Sequence, residues 1–141
     1  MVGDITDNYS KFIFKKLNDV NLKKVAFNRV GTYSGGMKRR LSIILATIGE
    51  PDIIFLDEPT TGLDPVNKRF IWKMIQKIKT NKAVVLTTQS MEEAEFLSDR
   101  IGVIVKGKFE CIGTSYELKE KYGEGYLLTF GKLLKTKFSL R

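Results

Sequence analysis

Hydrophobic positions change their spacing several times along the chain, and each change marks an element. Residues 10 to 18 (Ser10-Lys-Phe-Ile-Phe-Lys-Lys-Leu-Asn18) mix apolar and basic side chains at helical spacing, which predicts a short amphipathic helix followed by a basic loop to Thr32. After Gly35-Gly36, residues 37 to 48 contain neither Gly nor Pro and run into Gly49 and Pro51, the pattern of a helix with a glycine stop. Ile53-Ile54-Phe55-Leu56 is an unbroken apolar run of β-branched and aromatic residues, which predicts a strand buried on both faces of a parallel sheet. Asp64-Pro65 reads as a helix N-cap with a first-turn proline, and Val66, Phe70, Ile71, Met74, Ile75 and Ile78 then fall on one helical stripe.

Ala83 to Thr87 predicts a second buried strand, and Ser90-Met91-Glu92-Glu93 reads as a capping box opening a helix through Leu97. Ile101 to Val105 and Phe109 to Gly113 flank Lys106-Gly107, a hairpin turn, and Thr114-Ser-Tyr-Glu117 is a second capping box before a helix ending near Gly123. Strands alternating with helices predict an α/β fold, a mostly parallel sheet flanked by helices, with its sites at the C-terminal ends of strands.

With 141 residues the chain is one domain at most or part of a larger one, and 43% hydrophobic residues suffice for a modest core. The longest apolar stretches, 41 to 48 and 53 to 56, fall far short of the roughly 18 uncharged residues a membrane helix needs. The first seven residues have neither a basic nor an apolar region, so no secretory signal is expected. One cysteine, Cys111, and no histidine exclude an internal disulfide, Cys/His zinc ribbons and every His-dependent triad. The net charge of +8 gathers at the ends: residues 1 to 40 carry nine Lys/Arg against three Asp, and residues 131 to 141 four against none. Such ends suit phosphates, nucleic acid or an acidic membrane surface, although a solvated charged face is the commoner source of such runs.

Four stretches could carry chemistry. Ser34-Gly35-Gly36-Met37 places two glycines at a helix start, where free backbone N–H groups form an anion site and the serine hydroxyl adds a donor; a plain loop-to-helix junction is the alternative. Asp57-Glu58 follows a buried strand, so the two carboxylates point to opposite sides and can divide the work of phosphoanhydride hydrolysis, one holding Mg²⁺ through water and the other orienting the attacking water. Caps or solvated turn residues would account for them as well. Thr60-Thr61-Gly62-Leu63-Asp64-Pro65 is a turn whose aspartate caps the next helix, and Thr87-Thr88-Gln89-Ser90 is a polar cluster beside it in which the glutamine could be incidental.

In order and spacing these stretches resemble the nucleotide-binding domain of ABC transporters, a P-loop NTPase. Tyr33 to Met37 resembles its signature motif, Ile53 to Glu58 its Walker B strand with the adjoining glutamate, Thr60 to Pro65 its D-loop, and Thr87-Thr88-Gln89 its switch-loop region. The wording of residues 29 to 42, 56 to 65, 90 to 95 and 122 to 126 is closest to the A subfamily, whose members export lipids. The resemblance covers about residues 17 to 130 and implies a partial domain over residues 1 to 130: helical subdomain and signature helix at 10 to 50, Walker B, D-loop and switch-loop core at 51 to 113, and a C-terminal helix and strand at 114 to 130. Residues 131 to 141 read as a basic tail.

By that resemblance Ser34, Gly35, Gly36 and Met37 would meet the γ-phosphate of an ATP held mainly by the opposite domain of a head-to-tail pair. Asp57 would support Mg²⁺, Glu58 would polarise the hydrolytic water, and Gly62, Leu63 and Asp64 would couple the two sites. The implied cofactors are ATP and Mg²⁺; the implied partners are a second nucleotide-binding domain and the transmembrane domains of a transporter, at the cytoplasmic face of a membrane, with no nucleic acid.

Two departures qualify this. The phosphate loop G-x-x-G-x-G-K-[ST] is nowhere in these residues, nor is the glutamine loop that precedes the helical subdomain, so weak or no ATP binding in the chain's own half-site is expected. Gln89 stands where the family usually has histidine, and an amide can hydrogen-bond a phosphate but cannot carry a proton near neutral pH. The resemblance therefore implies an ABC-type ATPase by family that is inactive as an isolated chain. A non-catalytic module lending its signature face to a complete partner is the alternative. A DNA-repair type ABC ATPase would carry coiled-coil or zinc insertions, for which there are no sustained heptads and too few cysteines. With the phosphate-loop strand missing, the apolar faces of Ile53 to Leu56 and Val84 to Leu86 are expected to be partly uncovered.

Overall fold

A computed structural model describes the backbone of residues 2–123 and the side chains from residue 8 onward. The expected strand of residues 124 to 130 and the basic tail at 131 to 141 lie outside the described residues. The chain divides into two compact units, Met1–Asp99 and Arg100–Arg141. No helix among the described residues is long and apolar enough to cross a membrane.

The first unit opens with helix α1, Val2–Asp19, longer than the apolar-basic stripe at 10 to 18 predicts. The basic loop after it is not irregular throughout: it holds two short 3-10 turns, Lys23–Val25 and Val30–Thr32. The Tyr33 hydroxyl donates to the Val25 carbonyl at 2.7 Å and fastens this loop across its base. Helix α2 runs Gly35–Leu45, beginning at the glycines and ending well before Gly49. Gly49 (φ 81°) and Glu50 (φ 51°) instead make the left-handed reversal that leads through Pro51 into the first strand.

Strand β1 (Ile53–Asp57) pairs in parallel with β2 (Ala83–Thr87), Ile53 opposite Ala83 and Asp57 opposite Thr87, so both strands end level with each other. Between them runs α3, Pro65–Ile78, as a parallel pair requires. Ile54 and Leu56 enter the same core cluster as Ile71 and Ile75 of α3, Ile43 and Ile44 of α2, and Leu22. Ile71 and Leu22 are fully enclosed, and each such side chain contributes about 1.5–3 kcal/mol of apolar burial.

The expectation of a strand buried on both faces is corrected here. Ile53 is 54% exposed and Phe55 75%, and Val85, opposite Phe55, is 50% exposed. The apolar run has the composition of a doubly covered strand, but only one of its faces meets helices among the described residues. The unit closes with α4, Met91–Leu97, whose Phe96 ring stacks on Trp72 of α3 at 4.9 Å between centroids.

In the second unit β3 (Ile101–Val105) and β4 (Lys108–Gly113) form an antiparallel hairpin. Lys106 (φ 49°) and Gly107 (φ 75°) both adopt the positive φ that a two-residue hairpin turn demands. Helix α5, Ser115–Tyr122, follows a complete capping box: the Thr114 hydroxyl accepts from the Glu117 N–H at 3.2 Å, and the Thr114 N–H donates to Glu117 Oε2 at 2.8 Å. Hydrogen bonding by Thr114, its backbone N–H first, holds the Glu117 carboxyl below its ordinary value.

Candidate functional site

The level ends of β1 and β2 bring two polar stretches side by side. Asp57, exposed, accepts a hydrogen bond from the hydroxyl of Thr87, its register partner. The Glu58 N–H donates to both the carbonyl and the hydroxyl of Thr87, each at 3.1 Å. Glu58 has φ 44°, a left-handed conformation that costs a non-glycine residue on the order of 1 kcal/mol or more and is found where function or packing imposes it. Its Oε2 accepts from the Thr61 hydroxyl at 2.7 Å. Two adjacent carboxylates are thus held by two different threonines, Asp57 at the end of β1 and Glu58 just beyond it, where the left-handed turn has broken the strand alternation.

Glu58, Thr61, Gly62, Leu63, Lys68 and Gln89 line one open depression at this strand end. Gly62 (φ 75°) supplies the left-handed turn within the 60 to 65 loop. Gln89 is exposed at its rim. The Ser90 N–H donates to the Thr88 hydroxyl at 3.0 Å, and the Ser90 hydroxyl oxygen takes the Glu93 N–H at 3.3 Å and Lys68 Nζ at 3.2 Å.

The capping box expected at Ser90 is only half formed. The Glu93 carboxylate does not return to the Ser90 N–H, which is already bonded to Thr88; it turns inward, 1% exposed, and its Oε1 accepts from the Thr60 hydroxyl at 2.7 Å and from Trp72 Nε1 at 2.8 Å. A charge removed from water needs donors, and the interior supplies two where the exposed cap has none left.

The glycine stretch forms a second group at the starts of α2 and α3. Ser34 caps α2, its hydroxyl oxygen accepting from the Met37 N–H at 3.3 Å. Gly35 and Gly36, in the first turn, have N–H groups without an intrahelical partner. The two glycines differ in purpose. A Cβ on Gly35 would meet open space, whereas one on Gly36 would lie 3.0 Å from Asn67 Cγ. Met37 is half-buried and packs against the core.

Asn67 Nδ2 in turn donates to Asp64 Oδ2 at 2.6 Å, and Asp64 Oδ1 accepts the N–H groups of Val66 and Asn67 at 3.0 Å each, capping α3. These bonds, the Asn67 side chain first, hold the Asp64 carboxyl below its ordinary value. The glycine stretch and the 60 to 65 turn therefore meet through Gly36, Asn67 and Asp64 in one chain. Of the basic run after the glycines, Arg40 is structural: its guanidinium reaches the Gly36 and Val20 carbonyls at 3.3 and 3.2 Å and lies over the Phe70 ring.

Asn67 and Lys68 carry no signal in the sequence, whereas Thr87 stands there only as part of a polar cluster and Glu93 only as half of a cap. The Thr87 contact could be found by aligning the two strand ends; Glu93 carried a cap signature that concealed its inward role.

A family model described as ABC transporter matches residues 5–61. ABC transporter A family member 11 of Arabidopsis thaliana is 56% identical over 115 residues, 82% of this chain and 12% of that protein, and member 9 gives the same figures. Member 2 is 51% identical over 118 residues, 84% of this chain and again 12% of its own length. The chain thus spans about 12% of these curated relatives. The ADP conformation of MJ1267, an ATP-binding cassette of an ABC transporter, superposes with a TM-score of 0.67 at 21% identity, over 78% of this chain and 44% of that one, a likeness of fold.

The fold and the motif order are those of an ATP-binding cassette, a P-loop NTPase domain. Within that class the chain belongs to the ABC transporter A family and corresponds to the C-terminal part of a nucleotide-binding domain.

Proposed function

We propose that these residues serve an ABC transporter as part of the ATP-binding and ATP-hydrolysing domain that drives transmembrane transport, with lipid as the cargo class. The lipid assignment rests on the A-subfamily wording of the motifs alone. The observation that carries the site is the open, capped start of α2 at Ser34 and Gly35, joined through Gly36 and Asn67 to Asp64. Unpaired N–H groups at a helix start, uncrowded at Gly35, suit a phosphate presented by a partner. The working assembly is then a head-to-tail pair with a second nucleotide-binding domain, attached to transmembrane domains at the cytoplasmic face of a membrane.

Within the chain's own half-site, Glu58 is the group that orients and polarises water, with Thr61 fixing the carboxylate. The donor set fits Mg²⁺: Asp57 offers an exposed hard oxygen ligand, anchored by Thr87, for an ion that keeps most of its water shell. Bound with ATP, that ion supplies charge neutralisation on the phosphates. Gly62, Leu63 and Asp64 carry the coupling between the two half-sites. Without a phosphate loop among these residues, the isolated chain is inactive.

A second reading, a non-catalytic module lending its signature face to a complete partner, is favoured by one observation: Gln89, exposed at the depression, cannot carry a proton. Both readings are tested by titrating a fluorescent ATP analogue with Mg²⁺ onto the chain, with and without a complete ABC domain. Affinity that appears only with the partner and is lost on Ser34→Arg or Gly35→Asp supports a composite site. No binding in either case removes both.

A further inference from the structure

Glu93 is the most deeply buried charged side chain among the described residues, and the motif roles above leave it unused. Two neutral donors converge on a single one of its oxygens. One is Thr60, two residues beyond Glu58 in the turn that carries Gly62 and Asp64; the other is Trp72, in the middle of α3. Glu93 itself belongs to α4, which begins directly after Gln89 and Ser90. Both loops that line the depression are therefore tied to one carboxylate beneath it.

The tie is reinforced from above and beside. Lys68 Nζ bonds Ser90 and lies 5.0 Å over the Trp72 ring, and Phe96 stacks on that ring's plane. Meanwhile Glu58 holds a left-handed φ that a free chain would abandon, and its neighbour Pro59 is enclosed. A strained turn keeps its shape only where its surroundings over-determine it. Beside the Glu58 N–H bonds to Thr87 and the enclosed Pro59, the Thr60 bond is the side-chain attachment of that turn to α4.

We propose that Glu93 is a positioning residue that fixes the Glu58–Thr61 turn, and with it the hydrolytic carboxylate and the D-loop, against the helix that starts beside Gln89. The significance for hydrolysis rests on the reading of Glu58 given above; the tie itself does not.

The test uses the full 141-residue chain, whose single tryptophan is one arm of the tie. Because both donors use Oε1, Glu93→Gln retains an acceptor for both, and its Trp72 emission and its amide exchange at Thr61 and Leu63 stay at the wild-type level. Glu93→Leu removes both bonds, shifting Trp72 emission and speeding exchange at those amides. Thr60→Val cuts one arm only: exchange at Thr61 and Leu63, whose N–H groups bond within the turn, rises about tenfold while Trp72 emission and amides in α1 and α2 are unchanged. Unchanged exchange in Thr60→Val overturns the proposal, as does a Glu93→Gln chain that behaves like Glu93→Leu. Should the ATP analogue fail to bind any pairing while Thr60→Val still loosens the turn, the nucleotide-site reading falls and the positioning role stands.

Discussion

Gly36 and Asn67 approach so closely that a Cβ on the glycine would lie 3.0 Å from Asn67 Cγ and 3.1 Å from its Oδ1. The Asn67 side chain cannot simply swing aside, because its amide is bonded to Asp64 at 2.6 Å. Gly36→Ala is therefore expected to break that bond and displace the start of α3 from the start of α2. Alanine is also the better helix former by about 1 kcal/mol, so the melting temperature should change little while the partner-dependent binding of the ATP analogue falls. Removing the obstacle with Asn67→Ala in the same chain should restore part of the binding. A double-mutant cycle measures this, and strictly additive effects would show that the two residues do not communicate.

Asp64 gives a prediction about acid. Its carboxyl titrates below the ordinary value of 3.8 in the folded chain because the Asn67 amide and two backbone N–H groups stabilise the charged form. A depressed folded value means that the cap's contribution is fully present above the ordinary value and disappears as pH falls through the lowered one. Asp64→Asn keeps an acceptor for the backbone N–H groups but has nothing to protonate. Denaturant midpoints followed from neutral pH to below 3.8 should converge for the two proteins at the acid end. Curves that stay parallel would mean that the cap is already broken at neutral pH.

The motifs that name the family were legible because each is local: a serine, two glycines and a helix, or an apolar run ending in Asp57-Glu58. Their pairing was not, because it depends on which strand lies beside which. Thr87 meets Asp57 only through the parallel register, and Asn67 meets Gly36 only after α2 and α3 have packed. Glu93 misled for a physical reason. Ser90 and Glu93 have the spacing of a capping box, but the Ser90 N–H had a nearer acceptor in Thr88, which left the carboxylate for the interior. Composition alone makes Ile53 to Leu56 a strand that can be covered on both faces; the missing phosphate-loop strand is what points to the uncovered face that Ile53, Phe55 and Val85 present.

That exposed face makes its own prediction. Phe55, three-quarters exposed, lies across from Val85 and beside Ile53, a contiguous apolar patch on the β1 and β2 pair. Phe55→Thr keeps β propensity and removes most of the apolar area, so dye binding to exposed apolar surface and self-association of the purified chain should both drop. Stability should shift by no more than about 0.5 kcal/mol, as for other surface positions. A loss of about 2 kcal/mol or more in denaturant unfolding would instead mean that the chain covers this face in solution.

Gln89 offers the sharpest comparison between the two functional readings. The depression that holds Glu58 presents an amide, which neither accepts nor donates charge as pH changes, where the proposed hydrolysis would call for a group that carries a proton. Joined to the phosphate-loop half of an A family relative, the chain with Gln89→His is expected to hydrolyse ATP roughly 10²-fold faster than the same fusion with glutamine, in the range that one positioned acid–base group supplies. Its rate should also acquire a titration near pH ~6.5 that the glutamine form lacks. Steady-state hydrolysis from mildly acidic to mildly basic pH reads both effects. Equal rates and flat profiles for the two fusions would show that this position is not where the proton is handled, and the non-catalytic reading would then lose the observation that favours it.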